Sequence, residues 1–323
     1  MITPRENMLR YFRNEPCLWT PSTLDQLSFR PSLIPGHVAR GMVAEQEPYT
    51  GKFGGKDMFG VDWVFDAQAG GSMEKAPLID DIDDWEEKVK FPDPDEIEWE
   101  RCARENERYL NTDKLIQTTI YSSFFERLIT FVGFEKAAMA MIDEEQKEEV
   151  KKLFDKLADL YIDMIIRMHR FFNVDLVEIH DDWGTQLSTI FSVETHKELL
   201  VPYIARIAEK AHSEGVLIEM HSCGKIDALV PNIISTGVDT WRGQAIVDKR
   251  TAVEKHGDIF KFCAEIRPKE PVGDDEVIAL LDEAITEWQG KNIWFGIGNP
   301  FTPEQKEKMY RHLREKTRTE GSL

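Results

Sequence analysis

Short apolar runs alternate with amphipathic helical segments after residue 110, and this alternation restricts the chain to a few folds. Apolar residues recur at three- and four-residue steps through residues 144–172, which predicts a long helix. Further helices are predicted over residues 194–214, 229–237, 275–289 and 303–316. The predicted strands are residues 115–121, 174–180, 216–222, 238–241, 259–266 and 292–297. Strands that alternate with helices in this way form parallel βαβ units.

The number of predicted strands favours a closed barrel. Residues 16–22 and a segment near 60–66 add two strands, which brings the count close to the eight of a (β/α)8 TIM barrel. An open doubly wound sheet is the alternative, but no Gly-x-Gly-x-x-Gly motif follows the first strand. We therefore predict a single α/β barrel domain over residues 1–323. Residues 1–110 form an irregular N-terminal extension with the first strands, and residues 111–323 form regular βα repeats.

The acidic composition limits the partners of the protein. A formal net charge of −19 repels nucleic acid and anionic membranes. The first residues, MITPRENMLRYF, lack the apolar stretch of a signal peptide, and no run reaches the ~18 apolar residues of a membrane span. Cys17, Cys102, Cys223 and Cys263 do not have the spacing of a disulfide framework, which favours free thiols or metal ligands. We expect a cytoplasmic protein.

Polar and aromatic side chains gather where the predicted strands end. In α/β barrels the active site lies at the carboxyl ends of the strands. The candidates at these ends are Tyr121, Phe124, His180, Asp182, Trp183, Gln186, Glu219, His221, Cys223, Trp241, Gln244 and Cys263. Burying so many polar groups is costly for a purely structural core, so we predict a functional site here.

One strand carries a His-x-Cys pair, His221 and Cys223. Side chains at positions i and i+2 of a strand point the same way, so an imidazole and a thiolate can reach one ion. This combination suits zinc. Cys263, from a separate strand, is the predicted third ligand, with the fourth position left open as in catalytic zinc sites. The alternative is that Cys263 is a small buried strand residue.

The predicted catalytic residues are His180, Asp182 and Glu219. The side chains of His180 and Asp182 are expected to point the same way, which suits substrate contact or proton transfer. Glu219 precedes His221 by two residues on the next strand, so its side chain should lie on the same side and deeper in the barrel. For Asp182 the alternative is a cap on the following turn. Trp183 and Trp241 are either stacking walls for a planar ligand or ordinary packing residues.

Several motifs occur in the order in which one family has them. They are TPRENMLRYFRNEP, DMFGVDWVFDAQAGGSMEKAPLIDDIDDWEEKVKFPD, HDDWGTQ and MHSCGKIDALVPNIISTGVDTWRGQ. With these motifs the chain resembles the uroporphyrinogen decarboxylase superfamily over nearly its whole length. More narrowly it resembles the corrinoid-dependent methyltransferase branch, in particular the methyltransferase components of anaerobic O-demethylases.

The resemblance implies a (β/α)8 barrel that docks a separate corrinoid protein over its mouth. In the methylcobamide:thiol branch it implies zinc held by His-x-Cys and a later cysteine. Here the matching segment, residues 294–300, has Ile297 at that place, so Cys263 or Glu219 would have to substitute. True decarboxylases carry an arginine-rich segment after the first strand that binds the porphyrinogen carboxylates. The matching region of this chain, residues 22–37, contains only Arg30, which argues against decarboxylation.

From this resemblance we expect a methyltransferase that moves a methyl group from a small methylated donor to the Co(I) corrinoid of a partner protein. The expected donor is a methoxylated aromatic, with zinc as Lewis acid. The predicted substrate contacts are Tyr121, Phe124, Trp183, Gln186, Trp241 and Gln244. The alternatives are an N-methyl or thiol-dependent corrinoid methyltransferase, a decarboxylase of a smaller acid, and a protein that only binds its ligand.

Overall fold

A curled sheet of parallel strands forms the centre of the structure, a computed structural model that describes residues 2–66, 68, 71–268 and 270–319. The strands are β1 (Gln26–Ser28), β2 (Gly55–Lys56), β3 (Asp62–Asp66), β4 (Gly71–Glu74), β5 (Leu115–Ile120), β6 (Leu176–His180), β7 (Leu217–Ser222), β8 (Thr240–Gly243), β9 (Lys261–Ile266) and β10 (Ile293–Ile297). Seven of them pair in the order β1-β5-β6-β7-β8-β9-β10, and every pair is parallel.

Helices cover the outside of this sheet. They are α1 (Pro4–Phe12), α2 (Pro35–Ala39), α3 (Trp85–Lys88), α4 (Trp99–Glu105), α5 (Glu107–Leu110), α6 (Phe125–Val132), α7 (Phe134–Ala140), α8 (Gln146–Phe172), α9 (Val193–Leu199), α10 (Val201–Ser213), α11 (Val230–Ser235), α12 (Lys249–His256), α13 (Val277–Glu287) and α14 (Pro303–Lys316). The alternation of strands and helices after residue 110 is confirmed, as is the α/β barrel-like class of the fold.

The two edges of the sheet are linked by the chain just before β1. Ser22 forms a parallel bridge with Phe295, whose N–H donates to the carbonyl oxygen of Pro21 at 2.9 Å. The Thr23 hydroxyl accepts from the N–H of Ile297 at 2.8 Å and donates to its carbonyl oxygen at 2.9 Å. These bonds join β10 back to the start of the sheet, so the strands enclose an interior.

Two segments that we assigned to the barrel sheet do not form strands of it. Residues 16–22 contribute only the bridging residue Ser22, because a capped 3-10 turn over Thr23–Asp25 separates them from β1. Residues 62–66 do form a strand, but it pairs antiparallel with β2 and β4 in a separate three-stranded sheet. Short connections on either side let this strand pair with its neighbours in the chain, which parallel pairing in the barrel does not allow.

The predicted helix over residues 194–214 is divided in two. α9 ends at Leu199 and α10 begins at Val201, with Pro202 in its first turn. Proline has no N–H to continue the hydrogen bonds of a preceding helix, but it is well tolerated in a first turn. The long predicted helix is confirmed as α8, and its apolar stripe is buried.

The N-terminal end of the barrel is closed by α1. Met8, Leu9 and Phe12 of this helix pack against Leu115 and Trp294, which point into the barrel near the beginnings of β5 and β10. Arg5 holds the helix in place through an ion pair with Asp175, 2.7 Å between nitrogen and oxygen. Because this end is filled by side chains, a ligand can enter only from the carboxyl ends of the strands.

Asp57 connects the N-terminal extension to helix α6 of the barrel. Its carboxylate accepts hydrogen bonds from the backbone N–H groups of Phe59 and Val61 and from the Trp63 indole, and it pairs with Arg127 of α6. The Asp57 side chain is 1% exposed and the Arg127 side chain 4%. A pair buried to this degree depends on both partners for charge balance.

Two sequence expectations concern the chain as a whole. None of Cys17, Cys102, Cys223 and Cys263 is in a disulfide, which leaves each of them as a free thiol or a metal ligand. Within the described ranges, no helix has the length and apolar character needed to cross a membrane.

Replacing Asp57 by Asn is expected to lower the free energy of unfolding by about 3–5 kcal/mol, because the Arg127 charge stays buried without a counter-charge. The matched control is Asp62→Asn, which removes an exposed pair with Lys75 and should change the free energy of unfolding by about 0–1 kcal/mol. Urea unfolding followed by circular dichroism measures both. Equal midpoints for the two variants would contradict this role of Asp57.

Candidate active site

Inward-facing side chains of β6 and β7 meet at the open end of the barrel. The register of the two strands places His180 directly opposite His221. Asp182 and Cys223 follow two residues later, in the loops just after the two strands, and lie close to the histidines. One ligand atom from each of these four residues lies within 4.8 Å of the others. We call His180, Asp182, His221 and Cys223 the strand-end group.

Direct contacts order the strand-end group. The rings of His180 and His221 stack with their centroids 4.6 Å apart and their planes inclined by 21°. The Nε2 atom of His221 lies 3.5 Å from Sγ of Cys223. The backbone N–H of Cys223 donates to Oδ1 of Asp182 at 2.8 Å, so the carboxylate of one strand end is tied to the loop of the next.

Two glycines allow these loops to touch. Gly224 has φ +85°, and a Cβ at this position would lie 2.2 Å from the backbone of Gly184. A Cβ on Gly184 would in turn lie 3.0 Å from the backbone of Gly224. A larger residue at either position would push the loops apart. The glycines of HDDWG and HSCG therefore keep Asp182 and Cys223 close to each other.

Glu126, which the sequence analysis did not identify, orients His180. One carboxylate oxygen of this α6 residue lies 3.0 Å from Nδ1 of His180, and the other lies 3.5 Å from Arg40. Burial lowers the pKa of His180, but the charge and hydrogen bond of Glu126, together with the charges of Asp182 and Glu178, outweigh burial and raise it to about 9. Burial in turn raises the pKa of Glu126, but the charges of His180 and Arg40 hold it below its usual range. With Nδ1 fixed by Glu126, Nε2 is the nitrogen left for a metal or substrate.

His221 and Cys223 of the group are neutral at pH 7. Burial, assisted by the positive charge of His180, lowers the pKa of His221. Burial and the nearby Asp182 carboxylate raise the pKa of the Cys223 thiol well above its usual range. A thiol in this state is a weak nucleophile by itself, and a bound cation would be needed to convert it to thiolate.

The donor set of the strand-end group fits zinc. Two imidazoles, a thiol and a carboxylate are all common zinc ligands, and four ligand groups are available. Tetrahedral zinc with bonds of about 2.0–2.3 Å needs ligand atoms about 3.5 Å apart. The present spacing of up to 4.8 Å requires the side chains to close slightly around an ion.

A pair of glutamates lies beneath the strand-end group. Arg242 of β8 approaches Glu219 at 2.8 Å and Glu178 at 3.9 Å. Burial raises the pKa of Glu219 to about 8; Arg242 opposes this shift and Glu178 adds to it. Two carboxyl groups this close share their titration, and the pair as a whole retains a proton at pH 7. Glu219 is thus a buried acid below the two histidines.

Cys263, the predicted third zinc ligand, is not part of the strand-end group. It lies two strands away from Cys223, about 10 Å at the usual strand spacing, and Arg242 extends from the strand between them. Its side chain is fully buried in the cluster with Met8 and Trp294 that closes the barrel. Burial raises the pKa of its thiol to about 12. The structure instead brings His180 and Asp182 to the position where we expected Cys263.

Three aromatic residues predicted to line the substrate site lie outside the barrel. Phe124 packs against Phe154 of α8, and Trp183 meets the ring of His196 at 4.4 Å between centroids. Trp241 packs against Phe262 of the neighbouring strand. All three predicted side chains are fully buried. They occupy outward-facing positions, so they form the core between sheet and helices and do not line the mouth.

The remaining predicted contacts differ in position. Tyr121 faces the mouth, with its ring centroid 5.5 Å from that of His180 and 5.8 Å from the Arg40 guanidinium. Gln244 fixes the loop after β7, because its Oε1 accepts from the N–H of Gly224 at 2.9 Å. Gln186 is exposed in the turn after β6.

A cavity of about 630 Å³ opens beside the strand-end group. Residues at the ends of β1, β9 and β10 form most of its wall, and Tyr121, Glu178 and Arg242 complete it. Tyr121 contacts His180, and Glu178 and Arg242 adjoin Glu219, so the cavity connects the wall of β9 and β10 with the acidic side of the barrel. A small organic molecule fits this volume.

Known proteins resemble the chain in sequence and in fold. Residues 118–318 match the family described as uroporphyrinogen decarboxylase (URO-D). Among solved structures, a methyltransferase from Methanosarcina mazei superposes with a TM-score of 0.69 at 15% identity, over 98% of this chain and 99% of that chain. At this identity the similarity concerns the fold alone.

Two further solved structures are more distant. An Old Yellow Enzyme from Pichia sp. AKU4542 reaches a TM-score of 0.42 at 12% identity, over 68% of this chain and 66% of that chain. A dihydropteroate synthase from Xanthomonas albilineans reaches 0.33 at 14% identity, over 50% and 59%. Neither similarity is close enough to support an argument. No curated protein sequence matches the chain.

The family match spans more than half of the chain and includes β6 and β7, the strands that carry the strand-end group. It confirms the superfamily resemblance of the sequence motifs. The chain belongs to the uroporphyrinogen decarboxylase family.

Proposed function

We propose that the protein is a methyltransferase that moves a methyl group from a methoxylated aromatic donor to the Co(I) corrinoid of a partner protein. The observation that carries this proposal is the strand-end group, which combines metal-ligand side chains with a protonated histidine beside a cavity of small-molecule size. The corrinoid is assigned to a partner because the sequence lacks an Asp-x-His-x-x-Gly corrinoid motif.

The reaction requires stabilisation of the leaving oxygen. Co(I) attacks the methyl carbon, the carbon–oxygen bond breaks, and the aryl oxygen keeps the electron pair and takes up one proton. A phenolate is a poor leaving group, so a cation or a proton near the oxygen lowers the barrier. The barrel mouth supplies both kinds of group.

The residues that would hold a zinc ion are His180, Asp182, His221 and Cys223. A zinc ion held by three of these side chains would keep one position open for the leaving oxygen and would act on it as a Lewis acid. Glu126 keeps His180 in the orientation that presents Nε2, and the Gly184–Gly224 contact keeps Asp182 and Cys223 together. Glu219 holds a proton beneath the group and can deliver it to the product oxygen.

Without a metal, His180 itself suits the role of general acid. Its raised pKa keeps it protonated at neutral pH, and its Nε2 is left for the substrate oxygen. The two versions of the mechanism use the same donor and the same methyl acceptor. They differ only in whether a cation or an imidazolium faces the leaving oxygen.

An N-methyl donor is a weaker alternative. A quaternary ammonium group is usually bound by a cage of aromatic rings. Of the predicted aromatic contacts only Tyr121 faces the mouth, while Phe124, Trp183 and Trp241 are buried outside the barrel. Decarboxylation of a smaller acid by the same residues is the second alternative, which product analysis separates from methyl transfer.

Methyl transfer is tested with Co(I) cobalamin as acceptor and with 2-methoxyphenol or 4-methoxybenzoate as donor. We expect the Co(I) absorbance to be replaced by that of methyl-Co(III), with one demethylated aromatic product formed for each methyl group transferred. His221→Ala and Asp182→Asn should slow transfer by about 100-fold or more. Cys17→Ser, a thiol far from the mouth, is the matched control.

A carboxylated donor that loses CO2 while the Co(I) spectrum stays unchanged would contradict methyl transfer and support the decarboxylase alternative. Absence of any product with either donor, for enzyme that binds both of them, would support a protein that only binds.

Zinc content distinguishes the strand-end group from the ligand set predicted from sequence. Protein purified without chelator and dialysed against zinc should contain about one zinc ion per chain, and His221→Ala, Cys223→Ser and Asp182→Asn should each lose it. Cys263→Ser should retain the metal, because Cys263 lies outside the group. Loss of zinc in Cys263→Ser would instead support the sequence prediction. Wild-type protein that takes up no zinc would leave His180 as the acid.

Zinc binding should release about two protons at pH 7.5, one from His180 and one from Cys223, because both carry a proton in the metal-free protein. Zinc affinity should therefore rise as the pH increases toward 9. In Glu126→Gln the pKa of His180 falls, and we expect the release of only one proton. Calorimetry in buffers of different ionisation enthalpy measures the number released.

The matched control for this experiment is Glu135→Gln, which removes an exposed carboxylate from the next helix. It should release as many protons as the wild type. Two protons released by Glu126→Gln would show that Glu126 does not hold the charge on His180.

A further inference from the structure

The cavity beside the strand-end group has a positive wall in an otherwise acidic protein. Four cationic side chains line it, Arg30, Arg242, Arg267 and Lys306, against two carboxylates, Glu178 and Glu265. The chain as a whole has a net charge of −19. An excess of positive charge on the wall of this cavity, in a chain that is acidic as a whole, indicates an anionic ligand.

Of these four cations, only Arg242 has an ion pair among the described residues. Arg242 is balanced by Glu219 and Glu178 inside the barrel. Among the described residues, neither Arg267 nor Lys306 has an ion pair or a side-chain hydrogen bond. Their charges are therefore available to a ligand.

Arg30 is held in place by neutral groups. Its Nε donates to the carbonyl oxygen of Met42 at 2.7 Å, and Nη1 donates to the hydroxyl of Ser28 at 3.1 Å. These bonds orient the guanidinium and leave its charge uncompensated. Gln26, on the same wall, has a buried side-chain nitrogen without a hydrogen-bond partner among the described residues. A ligand oxygen would satisfy this donor.

The lining also favours a particular kind of anion. Leu24, Met42, Ile266 and Ile297 contribute apolar surface between the charged groups, which suits a flat hydrocarbon ring that ends in a charged group. Arginine forks bind carboxylates through paired hydrogen bonds.

A phosphate ligand fits less well. In TIM barrels phosphate is commonly bound by the loops after the last strands and by free N–H groups at a helix N-terminus. Here α14 begins at this place, but Pro303 has no N–H, and the N–H of Gln305 is bonded to the Thr302 hydroxyl. The side chain of Gln305 in turn accepts from the N–H of Thr302. The capping box thus occupies N–H groups that a phosphate would need.

We propose that Arg30, Arg267 and Lys306 bind the carboxylate of the methyl donor, so that the donor is a methoxylated aromatic acid. This assignment of the donor rests on the proposed function, whereas the anion site does not. The interior of a barrel of this size accommodates one small ligand. A molecule anchored by its carboxylate at β9, β10 and α14 would present its opposite end to the strand-end group.

The test compares 4-methoxybenzoate with 4-methoxybenzamide, which has nearly the same shape without the charge. Both are titrated into the wild-type protein by calorimetry at constant ionic strength. We expect the acid to bind about ten-fold or more tightly than the amide. Arg267→Gln and Lys306→Gln should each weaken binding of the acid by about five- to ten-fold and leave binding of the amide unchanged. Arg311→Gln, on the same helix but outside the cavity, is the matched control.

Equal affinity for acid and amide in the wild type would overturn the anion site, and so would equal effects of Lys306→Gln and Arg311→Gln. Competition distinguishes the source of the anion. We expect benzoate to displace 4-methoxybenzoate at lower concentration than inorganic phosphate does, and the reverse order would overturn the carboxylate assignment.

The outcomes for the site and for the proposed function are separate. Charge-dependent binding of the acid without methyl transfer to Co(I) would contradict the proposed function and leave the anion site standing. Methyl transfer from methoxybenzene as fast as from 4-methoxybenzoate would contradict the carboxylate anchor and leave methyl transfer standing.

Discussion

The register between β6 and β7 is the constraint on which the candidate site depends. It places His180 opposite His221, and the two-residue repeat of the strands then brings Asp182 and Cys223 to the same side. A shift of either strand by one residue would turn these side chains toward the helices and replace them with apolar residues. The buried strand bodies that hold the register are thus as necessary to the site as the polar residues themselves.

The polar groups at the mouth depend on one another for their charge states. Glu126 keeps His180 protonated, the charge on His180 keeps His221 neutral, and Arg242 limits the proton affinity of Glu219. These shifts arise from burial combined with a few close charges, and each would change if one partner were removed. Groups with displaced pKa values next to a cavity are typical of sites that perform chemistry.

The sequence predicted those parts of the site that depend on strand periodicity. His221 and Cys223 are two residues apart at the end of one strand, and His180 and Asp182 repeat this spacing at the end of its neighbour, so the strand repeat predicts a common direction even though Asp182 and Cys223 lie just beyond the strands. The sequence did not show that Cys263 lies outside the strand-end group, because its distance from Cys223 depends on the strand between them. The sequence did not show that Phe124, Trp183 and Trp241 pack outside the barrel, because an aromatic side chain suits the core between sheet and helices as well as a ligand site. No sequence pattern identified Glu126, because its contact with His180 depends on how α6 packs against the sheet.

For the fold, too, the sequence predicted what depends on local periodicity and missed what depends on pairing. Long periodic segments such as α8 were predicted closely, because the apolar residues of a buried helix face recur at a regular spacing along the sequence. The assignment of residues 62–66 to the barrel was wrong, since alternation predicts a strand and not its partner. A local turn stopped residues 16–22 from forming a full strand. In each case the error concerns which segments pair with each other, and sequence periodicity carries no information on that.

The mouth of the barrel divides into two chemically different walls. β6 and β7 supply the histidines, the thiol and the acids, whereas β1, β9, β10 and α14 supply cations without counter-charges. Tyr121, Glu178 and Arg242 lie between them. In a chain with this many carboxylates, cations that have no structural or functional role of their own would readily form ion pairs. The unpaired cations of this wall therefore indicate a role in ligand binding. Keeping the two walls apart leaves each able to act on a different end of one ligand, and a methyl donor with an acidic group at one end and an ether at the other matches both.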